Sequence, residues 1–472
     1  MRHAHTVAQV REAEDRLRAV LPPGGLMQRA VAGITTVVAG RLGRVYGSRV
    51  LLLVGGGDNG ADALWVGARL AARGARVTAV LVADPVADAL AALLRAGGRV
   101  GVVEPADVVV DGMVGIGGRG ALRPRAAALV AQVEGQDVVA VDVPSGVDAD
   151  TGAVVGQAVT AALTVTAGTH KPGLLVGEGR RRSGRVELVA LGLDLPAPVV
   201  EVLEAADVVR LLPAGEAVSD KYTRGVLGVA AGSQVYTGAA VLAVGSALRA
   251  GAGMVRFAGA PHAAEQVRSR WPEVVVSELV GADVVEAGRV QAWVVGPGLG
   301  TDEQAEATVE AVLGQDVPVL VDADALTICA RHPAWLRRRA APTLLTPHER
   351  EFARFGAEVG TDRVGAARAL ARATGVTVLL KGDATIVADP DGPARVNGTG
   401  SPVLATAGTG DVLAGGCGSL LAQGLGALDA GSVGAHLHGR AGALSAAGTT
   451  TTAYEVLRSW PDAVREAARL AR

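Results

Sequence analysis

The sequence predicts two successive α/β domains, each built on a largely parallel sheet with helices on both faces. Three observations carry this. At 472 residues the chain exceeds what a single hydrophobic core usually supports. Continuous β-branched runs alternate with helical stretches, the pattern of strands buried on both faces. The alternation then breaks once, at "DLPAPVVEVLEAADVVRLLPAGEAVSD", residues 194–220, which carries three prolines. The boundary drawn inside that stretch gives domains 1–205 and 206–472.

In the first half "RVLLLV" from Arg49 reads as a strand, "ALWVGARLAARG" as a helix ended by Gly74, and "ARVTAVLV" as the next strand. "DVVVDGMVG", "DVVAVDVPSG" and "ALTVTAG" continue the series. After the break the strands restart with "VLGVAAGS", "MVRFAGA", "QAWVVGPGLG", "VPVLVDADAL" and "VTVLLKGDATIVAD". No short repeat and no low-complexity linker interrupts either half.

Composition narrows the function classes. A hydrophobic fraction of 49% and 65 glycines suit packed domains with many tight turns. A net charge of -2 argues against nucleic acid or an anionic membrane as the main partner. The apolar stretch between Asp411 and Asp429 is broken by glycines and reads as a buried helix, not a membrane span. A charged N-terminus without a signal-peptide pattern, and two widely separated cysteines, Cys329 and Cys417, fit a cytoplasmic protein. Of 45 basic residues only Lys171, Lys221 and Lys381 are lysines, which draws the eye to those positions.

Ligands of parallel sheets bind beyond the carboxyl ends of the strands, so the loops there are the ones to read. "GGGDNG", residues 55–60, matches the G-x-G-x-x-G pattern of dinucleotide-binding turns, with Asp84 ending the following strand. Its charges disagree with a dehydrogenase, because Asp58 and Asp62 would repel a pyrophosphate. Asp58, Asn59 and Asp62 suit a cation or a hydroxylated ligand better. A second glycine loop, "GIGGRG" at 115–120, follows Asp111 and carries Arg119, which suits an anion. A third, "VDVPSGVDADTG", adds Asp142 and Ser145. Each loop alone reads as an ordinary Asx-capped turn; together, ahead of "THKPGLL", they read as a site.

These motifs resemble the hydrated NAD(P)H epimerases over most of residues 1–195, which implies a Rossmann-like parallel sheet. The resemblance implies substrate contacts from Asp58, Asn59, Gly60, Ala61 and Asp62, and from Gly115, Ile116, Gly117, Gly118, Arg119, Gly120 and Ala121. It further implies a potassium ion held by Asn59, Asp111 and Ser145, hard oxygen donors of the type such a cation needs. Asp142 is the implied acid/base residue and a substrate contact. The chain departs from the family pattern at Asp58 and Ala61, where asparagine and glycine stand, and at Arg119, usually a lysine.

The second half has no Walker loop, no C-x-x-C, no H-E-x-x-H and no G-x-S-x-G. What stands out is "ATAGTGDVLAGG", residues 405–416, a glycine loop feeding a helix whose mouth carries Asp411. The N–H groups of Gly408 to Gly410 and the helix end suit a transferring phosphoryl group. Asp411 then suits the proton of the attacking hydroxyl, as a general base. The competing reading makes Asp411 a helix N-cap.

With "KYTRG", "VVGPGLG", "VDADAL", "LLTPHERE" and "LLKGDATIV", this half resembles the ribokinase-like superfamily, and within it the nucleotide-dependent NAD(P)H-hydrate dehydratases. The resemblance implies substrate contacts from Ala239, Gly298, His348 and Asp411. It implies an adenine nucleotide, ADP or ATP with Mg2+, held by Lys381, Gly382, Asp383, Ala384, Thr385 and Gly410. The implied reaction phosphorylates the hydroxyl of the damaged nicotinamide ring and eliminates phosphate. Read together, the halves imply a bifunctional repair enzyme, commonly a homo-oligomer, acting on hydrated NADH and NADPH. Two alternatives stand beside it: a small-alcohol kinase fused to a dinucleotide-binding module, and a first half that senses dinucleotide without catalysis.

Overall fold

The computed structural model describes residues 1–213, 222 and 224–472; Lys221 therefore lies outside the described residues. The chain separates into two compact units, one of His3–Val200 and one of Glu201–Arg472 with Met1–Arg2. The division falls at Val200 rather than at residue 205, because Val200–Val202 is already a strand of the second unit's sheet, alongside Ala394–Asn397.

The first unit holds strands β1 (Arg49–Val54), β2 (Arg76–Leu81), β3 (Arg99–Val100), β4 (Val108–Gly112), β5 (Val138–Val141), β6 (Leu163–Ala167) and β7 (Arg185–Val189). They lie in the order β3-β2-β1-β4-β5-β6-β7, all parallel. Leu51, Leu52, Leu53 and Val54 are fully buried, as the unbroken apolar run of β1 requires of a strand covered on both faces. Each such side chain contributes about 1.5–3 kcal/mol of burial. Helices α1 (Val7–Val20), α2 (Gly25–Leu42) and α3 (Asp58–Ala71) pack around this sheet. Thr6 caps α1 in a capping box with Gln9.

The second unit's sheet adds β8 (Val200–Val202), β9 (Val226–Ala230), β10 (Met254–Ala258), β11 (Val275–Ser277), β12 (Ala292–Val295), β13 (Val319–Val321), β14 (Thr343–Leu345), β15 (Thr377–Leu380), β16 (Thr385–Ala388) and β17 (Ala394–Asn397). The run β15-β14-β13-β12-β9-β10-β11 is parallel, and β16 and β17 continue it antiparallel. "VTVLLKGDATIVAD" is thus not one strand but a hairpin, turned by Lys381 to Ala384.

Helices α4 (Thr237–Arg249), α5 (Glu349–Ala353), α6 (Thr409–Ala422) and α7 (Ala427–Ala446) belong to this unit. From Val412 to Ala422 every residue of α6 is buried. Its glycines let it sit close to its neighbours: a Cβ at Gly415 would lie 2.0 Å from the carbonyl oxygen of Ala243 on α4. Among the described residues no helix is long and apolar enough to cross a membrane.

Candidate active sites

In the first unit, Asp111 ends β4 and is fully buried. Its carboxylate accepts from the Ser145 amide (2.8 Å), the Ser145 hydroxyl (2.7 Å) and the Met113 amide (3.2 Å). Burial lifts it to about 6 despite those three donors. Ser145 Oγ also lies 3.2 Å from the Val114 carbonyl oxygen, and a Cβ on Gly115 would lie 3.0 Å from Asn59 Oδ1. Asn59, Asp111 and Ser145 therefore converge on the Val114–Gly115 turn. They present one carboxylate, one hydroxyl, one amide and a backbone carbonyl. That is a hard-oxygen set with a single negative charge, which fits a monovalent cation.

Asp142 follows β5 with φ +67°, a left-handed conformation costly for a non-glycine residue. Its Oδ1 accepts from Lys171 Nζ (2.5 Å), Thr166 Oγ1 (3.0 Å) and the Ala167 amide (3.2 Å). Lys171 is 1% exposed and also donates to Thr166 Oγ1 and the Ala167 carbonyl. These bonds hold the carboxylate by its Oδ1 in that strained position.

That cavity, about 910 Å³, is lined by Asp58, Asn59, Asp62, Gly115 to Gly118 and Asp142, with Glu14 of α1 and apolar residues of α2. A second cavity of about 330 Å³ lies beside Gly118 to Ala121 and shares Met113, Val114 and Gly118 with the first. Ala61 is fully buried and Gly60 is buried too, so both shape the turn from behind. Arg119 reaches the rim of the smaller cavity, where its guanidinium forks onto Asp148 (2.9 Å) and Asp150 (2.8 Å). The charge expected to await an anion is already shared with two carboxylates.

In the second unit the site forms where β12 to β15 end. Asp322, after β13, is 1% exposed and accepts from Lys381 Nζ (2.5 Å) and Thr346 Oγ1 (2.8 Å). Burial alone would lower the Lys381 ammonium, but the carboxylates of Asp322, Glu351 and Asp411 hold it above its usual value. Asp411 is the third residue of α6, and the helix is capped by Gly408 at φ +87°. The N-cap reading of Asp411 is therefore wrong, because a glycine in the left-handed region holds that place. Burial, and then the charge of Asp322, lifts Asp411 to about 7 against the pull of Lys381.

Gly410 carries no side chain where Lys381 Nζ passes 3.4 Å from its would-be Cβ. Gly298 and Ala239 meet, a Cβ on the first falling 3.0 Å from that of the second. His348 caps α5: its Nδ1 accepts from the amides of Arg350 (3.1 Å) and Glu351 (3.2 Å), and the ring is half exposed. On the hairpin, Gly382 and Asp383 reach solvent while Ala384 is fully buried and Thr385 nearly so.

Two family models match the chain: "YjeF-related protein N-terminus" over residues 24–173 and "NAD(P)H-hydrate dehydratase" over residues 227–459. The bifunctional NAD(P)H-hydrate repair enzyme of Mycobacterium leprae is 52% identical, over 95% of each chain. This chain belongs to that family. The repair enzymes of Mycobacterium tuberculosis and Corynebacterium glutamicum are 51% and 34% identical, over 88% of this chain in each case and 88% and 86% of theirs. A ribokinase-like superfamily protein of Enterococcus faecalis shares the fold, with a TM-score of 0.52 at 22% identity, over 58% of this chain and 98% of its own.

In this repair-enzyme family member the sequence motifs fall at strand ends in both units. Sequence reasoning assigned no role to Lys171, Asp322 or Glu14. The scarcity of lysine pointed at Lys171, and the strand-end "DAD" at Asp322. Nothing local pointed at Glu14, which α1 brings to the cavity from outside the sheet series.

Proposed function

We propose that the chain repairs hydrated NADH and NADPH: the first unit interconverts the R and S hydrates, and the second dehydrates the S hydrate with ADP or ATP. The observation that supports this most is the Asp411 carboxylate, standing in the first turn of α6 beside the Lys381–Asp322 pair. A base at neutral pH, glycine amides behind it and a partly buried ammonium are what transfer of a phosphoryl group to a ring hydroxyl needs. Elimination of that phosphate then restores the ring double bond.

In this reading Ala239, Gly298, His348 and Asp411 contact the hydrated dinucleotide, with His348 offering Nε2 because Nδ1 serves the helix. Lys381 to Thr385 and Gly410 hold the nucleotide, Ala384 and Thr385 by supporting the hairpin. Magnesium fits as an ion carried on the nucleotide phosphates, since the described residues hold no cluster of three His, Cys, Asp or Glu side chains suited to a metal. Asn59, Asp111 and Ser145 would hold potassium, which supplies fixed positive charge beside the substrate loop. The loops of Asp58 to Asp62 and Gly115 to Ala121 take the substrate in the first unit, with Asp142 as acid/base.

The test mixes both hydrate epimers with magnesium, potassium and ADP or ATP, and follows the return of reduced-nicotinamide absorbance. Complete recovery, faster than uncatalysed epimerisation allows, is expected. Recovery that stops when the S form is exhausted removes the epimerase from the reading. No recovery with either nucleotide removes both activities.

A further inference from the structure

The carboxyl of Asp62 has an Oδ1 that is closed to solvent and has no hydrogen-bond partner among the described residues. A buried carboxyl oxygen left unpaired is costly, so this group calls for a proton or a ligand. Asp62 lines the 910 Å³ cavity together with Asp142. The sheet order sets the two apart: Asp62 rides on α3, which leaves β1, Asp142 follows β5, and β4 lies between them. Ala30 and Ile34 of α2 supply apolar wall to the same cavity.

Resting on the epimerase reading, we propose that Asp62 is the second acid/base residue of that reaction, working across the hydrated ring from Asp142. The substrate is a hemiaminal, with its hydroxyl on C6 next to N1. As the C6–O bond breaks, its electron pair leaves with oxygen and the Asp62 proton joins it, so water departs. The N1 lone pair forms the C6=N1 iminium. A water on the other side adds to C6 and gives its proton to Asp142 Oδ2. Asp62 ends as a carboxylate and Asp142 as the acid, the arrangement that the reverse reaction needs. Atoms and charge balance, and no co-reactant but water is used.

The protonation state agrees. Burial, and then the charges of Asp142, Asp58 and Glu14, lift Asp62 to about 8, so it carries a proton at neutral pH. Asp58 comes from its own helix, Glu14 from α1 and Asp142 from the end of β5, where Lys171 also stands. The cavity lining further includes Asp15, Arg11 and Arg18 of α1.

The experiment uses the full chain with purified S hydrate and no nucleotide, which silences the dehydratase, and follows the R form by chromatography across pH. The wild type is expected to lose rate above pH 8. Asp62→Asn is expected to epimerise about 10²–10⁴-fold more slowly, with that alkaline limb gone. Dehydration of the S hydrate with nucleotide stays at the wild-type rate, and a thermal midpoint level with the wild type near pH 4 shows that the unit carrying the variant is folded. A variant with the wild-type rate and limb overturns the role of Asp62 and leaves the epimerase standing. A wild type that does not epimerise overturns both. In ¹⁸O-water the wild type is expected to place one solvent oxygen on C6 per inversion; inversion with retained oxygen overturns the step.

Discussion

Lys171 Nζ lies 2.5 Å from Asp142 Oδ1, and the lysine side chain is 1% exposed. The buried ammonium is paired with Asp142, and the strained aspartate has its position set by that pair. Replacing Lys171 by Met leaves Asp142 without its counter-charge. Breaking a buried pair in this way costs about 3–5 kcal/mol. Expected are a lower thermal midpoint and loss of epimerisation, by calorimetry and epimer chromatography. Unchanged epimerisation with the lower midpoint would make Lys171 purely structural.

Asp411 acts as a base only when ionised, and its carboxyl sits at about 7. Dehydratase kcat is therefore expected to rise through about pH 7 and level off above it. Asp411→Asn is expected to lower kcat by about 10²–10⁴ with nucleotide affinity kept, by stopped assay and nucleotide titration. A flat pH profile in the wild type would count against the general-base role.

The raised carboxyl of Asp62 also sets a stability trend. Its folded value, about 8, stands far above the ordinary aspartate value of about 3.9. Between those values the folded state keeps a proton that the unfolded state has released, so this group destabilises the fold as pH rises across the window. The effect is about 1.4 kcal/mol for each pH unit, an upper bound. Asp62→Asn is expected to melt above the wild type at pH 8.5 and level with it near pH 4, by scanning calorimetry.

Gly415 marks the place where α6 meets α4. A methyl group there would fall 2.0 Å from the Ala243 carbonyl oxygen, which is backbone and cannot turn aside. Gly415→Ala is expected to push α6 away and displace Asp411. Dehydratase activity should fall by at least tenfold while epimerisation persists. Equal loss of both activities would point to global unfolding instead.

The alternation of β-branched runs and helices made both sheets legible, because a strand buried on both faces must be apolar throughout. The glycine loops at strand ends were legible as well, since only backbone amides and short side chains fit there. One run misled: "VTVLLKGDATIVAD" reads as continuous β-propensity, and only the Lys381–Ala384 turn splits it into β15 and β16. Propensity is local and does not register a reversal that tertiary pairing selects.

The chemistry-bearing residue types and the loops that carry them were settled by local sequence, through periodicity and turn chemistry. Partnership was not. Asp142 is joined to Lys171 across 29 positions and Asp322 to Lys381 across 59. Parallel strands have to cross over through helices, so the ends that meet at a site come from distant parts of the chain. Burial was also decided there: Asp62 and Asp411 look like ordinary aspartates in the sequence. Packing takes them partly out of water and lifts one to about 8 and the other to about 7. A charge's surroundings are a property of the assembled fold, and those surroundings give an aspartate its chemistry.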